Sequence, residues 1–216
     1  MPEWFFTQPD YDPNDINNGF EGIVDGADLS ETFEFDYDRL PLIRQVMEAQ
    51  GFMGKPRVVD ASEFGGLARA AIGGIGFVMQ RGYGADDWDT LTTYKRFLYA
   101  GNWYVQSDDA LYGSGMYACG ETGCSEPTAR TVNVSNSHAN MHGLRRRIET
   151  MTMDESARLI KYDDLTKMMV DDTRGSLDVR SDEGVYAALR GYDLIYDWPT
   201  GQTVVLNRTK LIIANT

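Results

Sequence analysis

Apolar residues in this chain come in short runs of unlike period, and glycine closes most of them. Phe77–Gln80, Tyr192–Tyr196, Thr203–Leu206 and Leu211–Ile213 are brief apolar segments with strand character, and Ala157–Ile160 is similar. Other stretches carry helical spacing. Leu40, Leu42, Ile43, Val46 and Met47 share a face, with Pro41 in the first turn and Gly51 as the stop. A second helix is expected from Asp60 to Ala71, opened by a capping box of Asp60 and Glu63 and ended by Gly73, Gly74 and Gly76. Further helices are expected over Asp86–Tyr99, Asp163–Val170 and Asp182–Leu189. Leu144–Met153 fits either period, and residues 120–143 are polar enough to read as a long loop. Strands and helices do not alternate regularly. An α+β fold with a mixed sheet is therefore expected, rather than a doubly wound parallel one.

The length of 216 residues favours one domain with an N-terminal extension. Residues 1–54 read as an irregular arm followed by a helix, and 55–216 as the domain. With 42% hydrophobic residues, 12 Tyr, 9 Phe and 4 Trp, the chain has material for a real core and is not wholly disordered. Its 33 acidic against 20 basic residues give a net charge of -13. A field of that sign repels nucleic acid phosphates, so direct nucleic-acid binding is not expected. Solubility accounts for most of such a charge, and mimicry of DNA by an acidic surface is the rival use. No window of about 18 apolar residues exists, and the start lacks a basic, then apolar, signal, so a cytoplasmic protein without a membrane span is expected.

Metal chemistry finds little support. Cys119 and Cys124 lack the spacing of a zinc pair and read as reduced thiols. His138 and His142 stand four apart, but the Asn, Ser and Gly around them argue against a helix that would align them, and no acidic third ligand stands at a familiar spacing. The sequons at Asn133 and Asn207 read as coincidental.

Three positions suit a dinucleotide. Arg81 closes a strand before Gly82, where a guanidinium clamps phosphate or ribose and a bare backbone can approach a planar amide. Tyr117 follows Gly113 and Gly115 and offers a ring for stacking. Gln202 opens the strand after a turn. Each has a bland counterpart: a surface arginine, a core tyrosine, a turn glutamine.

Taken in order, Gln80-Arg-Gly-Tyr83, Tyr112-Gly-Ser-Gly-Met-Tyr-Ala118, and Gly191-Tyr-Asp-Leu-Ile195 with Gln202-Thr-Val-Val-Leu-Asn-Arg208 resemble the ADP-ribosyltransferase superfamily, most closely its bacterial and phage-encoded members. The resemblance covers roughly residues 55–214, and its Gly-x-Gly-x-Tyr-x-Ala segment is the most specific part. It implies a split mixed β-sheet flanked by helices, with NAD as substrate across the cleft. It further implies that Gly82 binds the nicotinamide carboxamide, Arg81 holds a ribose or phosphate, Tyr117 stacks on nicotinamide, and ADP-ribose passes to a macromolecular acceptor. Gln202 stands where the family has its catalytic glutamate, and an amide cannot act as a general base. Asp197, Glu183 and Glu149 are the acids that could replace it. NAD hydrolysis and an inactive interaction protein of the same fold are the alternatives.

Overall fold

A computed structural model describes residues 48–52, 54–100, 115–171 and 183–215. The arm and most of the helix expected before Gly51, and the start of the Tyr112–Ala118 motif, lie outside these residues. In chain order the elements are β1 (Arg57–Asp60), α1 (Ala61–Gly74), β2 (Phe77–Ala85), α2 (Trp88–Ala100), β3 (Met116–Thr122), α3 (Ala129–Met141), β4 (Arg145–Met153), β5 (Leu159–Lys161), α4 (Tyr162–Asp171), α5 (Glu183–Leu189), β6 (Leu194–Tyr196), β7 (Gln202–Val205) and β8 (Leu211–Asn215). A 3-10 turn, Arg208–Lys210, leads into β8.

The strands hydrogen-bond in the order β1-β8-β4-β2-β3-β7-β6-β5. β1 with β8 and β5 with β6 are parallel, and the other neighbours are antiparallel. This is the mixed sheet of an α+β protein. The expected split is not a division into two sheets, because every neighbour in the order is bonded. The sheet instead forks: among the described residues β2 pairs with β3 from Phe77 to Gln80, against Cys119–Thr122, and its Arg81–Ala85 half pairs with β4.

Alternation along the strands sends successive side chains to opposite faces. On one face Phe77, Met79, Tyr83, Met116, Met151, Met153 and Val205 form the main core with Leu91 and Leu98 of α2, Leu165 of α4 and Val185–Ala188 of α5. Burying each large apolar side chain there contributes about 1.5–3 kcal/mol. On the other face Phe64 and Ala68 of α1 pack on Val59, Val78, Ile212 and Ala214.

Three expectations need correction. Arg81 does not close a strand: β2 runs nine residues and Arg81 is its fifth. Glycines at 82 and 84 weaken strand propensity on paper, yet the sheet keeps them because a helix lies against them. Residues 120–143 are not a loop but the end of β3 and the helix α3, capped by Thr128, whose side chain accepts from the Thr131 N–H. The buried stripe of α3 is Thr131, Ser135 and Ala139, four apart. Its residues are small and mostly polar, so no apolar period announces it. Asp60 holds the N-cap position of α1 but makes no side-chain capping bond.

Candidate functional site

The fork brings the residues of interest together. Arg81 leaves β2 on the face of Met79 and Tyr83 and is only 8% exposed. Its Nη1 donates to the carbonyl oxygen of Tyr117 at 2.7 Å, bridging the two strands just past the point where their pairing stops. Across β4 it stands opposite Glu149, a pairing that sets Cβ atoms about 4.5–5.5 Å apart. Glu149 is buried and accepts from the Tyr83 hydroxyl at 2.9 Å and the Tyr99 hydroxyl at 3.2 Å. Burial first, and the Glu149 charge second, push both tyrosine hydroxyls far above their usual range, so they remain donors.

The opposite face of the fork is polar. Thr150, Gln80, Cys119 and Gln202 form one row across β4, β2, β3 and β7. Gln80 Nε2 donates to Thr150 Oγ1 at 3.0 Å. The Oε1 atoms of Gln80 and Gln202 are buried and have no hydrogen-bond partner among the described residues. An unmet buried acceptor costs about 1–3 kcal/mol, so this row suits a donor brought by water or a ligand. Tyr117 and Glu121 flank Cys119 on the same side of β3. Glu121 accepts from Thr128 Oγ1 at 2.5 Å. Arg130 donates through Nη2 to the Pro199 carbonyl at 2.6 Å. Burial pushes the Cys119 thiol up, against the opposing pull of Arg130, which keeps it protonated at neutral pH.

Helix α3 lies over this row. A Cβ at Gly82 would sit 1.8 Å from the Ser135 carbonyl oxygen, and one at Gly84 would sit 2.3 Å from that of Ala139. Ser135 Oγ donates to the Gln80 carbonyl at 3.1 Å, and His138 Nδ1 bonds the Gly82 carbonyl at 2.9 Å. Burial holds His138 at about 4. It is therefore neutral at pH 7, with its proton assigned to Nδ1 by the carbonyl it faces. The His138 and His142 rings are 4.5 Å apart, because His138 lies in α3, contrary to expectation, and His142 is its C-cap. Among the described residues no group of three or more His, Cys, Asp or Glu could hold a metal ion.

The structure thus joins Arg81 to Tyr117 through a backbone carbonyl and places Gln202 on Tyr117's face, one register step away. Arg81 itself starts from the other face. Gly82's carbonyl already has a partner, and its missing side chain is explained by α3. Asp197 accepts from Thr200 Oγ1 in its own turn, and its charge, like that of Glu183, acts on Tyr162. Glu121 and Arg130 went unremarked in the sequence. The β3 register puts Glu121 on Gln202's side of the sheet, and the hidden helix brings Arg130 against Gly201. No protein-family model, curated protein or solved structure matches the chain. No helix among the described residues is long and apolar enough to cross a membrane.

Proposed function

We propose that residues 55–216 form an NAD-binding domain of the ADP-ribosyltransferase kind, with the dinucleotide at the β2–β3 fork and ADP-ribose passed to a macromolecular acceptor. The observation that carries this reading is the end of β2–β3 pairing at Gln80 and Cys119, bridged by Arg81 to the Tyr117 carbonyl. A half-opened sheet gives a planar ring room between strands, and a guanidinium in that opening favours a pyrophosphate. Tyr117 supplies the stacking face. In the reaction the C1′–nicotinamide bond breaks and nicotinamide leaves with the bonding pair. The acceptor's nucleophile then bonds C1′ and loses its proton. Glu121, two residues from Cys119 on Gln202's side of the sheet, is the carboxylate best placed to take that proton or steady the positive charge.

A second reading is favoured by α3. The Gly82 carbonyl is taken by His138 and the glycine's space by Ser135, where the resemblance puts the nicotinamide amide. On that reading the domain keeps the architecture and serves as an interaction protein. One set of measurements separates the two. NAD at about a hundred times its dissociation constant adds about 2.7 kcal/mol of stability, visible as a higher melting temperature. Arg81→Ala should weaken binding by about 1.5–3 kcal/mol in calorimetry. Labelled NAD should modify a lysate acceptor with the native chain and fail to do so with Glu121→Gln. Native transfer untouched by Glu121→Gln but raised by Gln202→Glu would move the carboxylate's place to position 202. No thermal shift with NAD would leave the interaction-protein reading.

A further inference from the structure

The end of α3 gathers three soft or borderline donors. The polar residues around His138 and His142 argue against a helix in the sequence, yet α3 runs through both of their neighbours to Met141, and His142 is its C-cap. His138, Met141 and His142 therefore stand at i, i+3 and i+4. Side chains at that spacing share one side of a helix, with Cβ atoms about 5–6 Å apart. All three are exposed, Met141 to 73%. Packing does not hold its thioether, which swings on three rotatable bonds.

His138 is prepared as a ligand. Its Nδ1 faces the Gly82 carbonyl at 2.9 Å, so the proton belongs on Nδ1 and Nε2 keeps a bare lone pair. A ring nitrogen tied to a backbone carbonyl is the usual support behind a metal-bound imidazole, because it fixes tautomer and ring plane. The His142 ring packs on that of His138 and makes no hydrogen bond among the described residues, so it is free to turn. Burial first, with the Arg81 charge in support, keeps both rings below their ordinary value, and no proton has to leave them at pH 7. The separation suits a shared ion. With a nitrogen–metal bond of about 2.0–2.1 Å, an ion lies about 3.2 Å from the centre of each ring that binds it. Ring centres 4.5 Å apart then subtend about 90° at the ion. Opening that angle to about 120° takes about 1 Å of movement by the His142 ring.

The donors select the ion. Among the described residues no further His, Cys, Asp or Glu raises the pair to a set of three, which removes the usual zinc and magnesium sites. The third donor is a thioether, soft and uncharged, and thioethers select Cu(I). The Arg81 charge acts on both rings, so the site admits a singly charged ion more readily than a doubly charged one. The carbonyl end of a helix favours a cation in either case. We propose that His138 Nε2, Met141 Sδ and one ring nitrogen of His142 bind copper as Cu(I) at the C-terminal end of α3. This inference does not depend on NAD binding.

The test titrates Cu(I), kept reduced by ascorbate under nitrogen, into the whole chain against a chromogenic Cu(I) chelator. His142→Ala and Met141→Leu change exposed side chains, and a melting curve checks that each variant stays folded. Cys119 and Cys124 are free thiols that also attract Cu(I), so the quantity read is the copper each variant loses relative to the native chain. The native chain should hold one equivalent that His142→Ala binds about 100-fold more weakly and Met141→Leu about 10-fold more weakly. Cu(I) is diamagnetic, so the methionine methyl groups can be followed by NMR after carbon-13 labelling. The methyl peak that Met141→Leu removes should shift with the first equivalent of Cu(I), and should stay still in His142→Ala. Equal copper binding by the native chain and His142→Ala would overturn the proposal and leave the thiols as the holders of the copper. A Met141 methyl that does not move, or a Met141→Leu variant that binds Cu(I) as tightly as the native chain, would overturn it as well.

Discussion

Glu149 shows how one buried residue can be costly and indispensable at once. A carboxylate at 4% exposure survives because two tyrosine hydroxyls bond its two oxygens, one from β2 and one from α2. Removing one donor leaves a buried anion under-served. Tyr83→Phe should therefore lower stability by about 1.5–3 kcal/mol, read from urea denaturation. Tyr99→Phe should cost less, since its bond is longer and its side chain is more exposed. Equal stability of Tyr83→Phe and the native chain would mean that Glu149 has other donors. The same network could not be read from the sequence. Tyr83 and Glu149 are 66 residues apart and meet only because β2 and β4 pair in one register.

At the scale of elements, α3 and β2 explain each other. Gly82 and Gly84 lie on one face of β2, and the Thr131, Ser135 and Ala139 stripe of α3 sits upon them at backbone distance. Such an interface gains its contact from small residues rather than from large apolar ones. Gly82→Ala forces a Cβ to within 1.8 Å of a backbone oxygen, which only movement of α3 can relieve. Overpacking of this kind costs about 1–3 kcal/mol or more, and Gly82→Ala should lie at the upper end. Gly66 is the control. It is exposed within α1 and has nothing within 4 Å of an added Cβ. Gly66→Ala should stabilise the protein by about 0.4–1 kcal/mol by limiting the unfolded chain. Denaturation midpoints of the two variants should move in opposite directions, and a shared direction would contradict this account of the glycines. The turn chemistry, by contrast, was legible. Gly51 and Gly191 take positive φ where helices end, as their places after apolar runs suggest.

The molecule as a whole is tuned against acid. Burial lowers His138 to about 4 and lowers His142 in the same direction, helped by the Arg81 charge. The unfolded chain binds these protons near the ordinary value of 6.5, so it takes them up first as pH falls. The stability from keeping His138 neutral is complete above pH 6.5 and is lost as pH falls from there to about 4. Asp154, held low by bonds from Ser156, and Asp87, held low by Thr90, act in the same sense at still lower pH. Urea midpoints should fall steadily between pH 6.5 and 4. The slope should be shallower in His138→Gln, whatever the absolute loss from its missing Gly82 bond. An unchanged slope would show that His138 titrates normally.

Local chemistry decided most of the elements. The runs at Phe77, Leu194, Thr203 and Leu211 became strands, and those opening near Asp60, Asp86, Asp163 and Glu183 became helices, because period and glycine punctuation act within a few residues. From these alone the α+β class followed. What lay beyond the sequence was everything that depends on which strand pairs with which. Arg81 moved from a strand end to a strand middle, and a polar stretch became α3, because small polar residues can be buried when glycines receive them. The fork beside Gln80, the reach of Arg81 to Tyr117 and the row from Thr150 to Gln202 come from long-range hydrogen-bonded registers. Each such register joins residues dozens of positions apart, and one step of slip would turn every side chain to the other face.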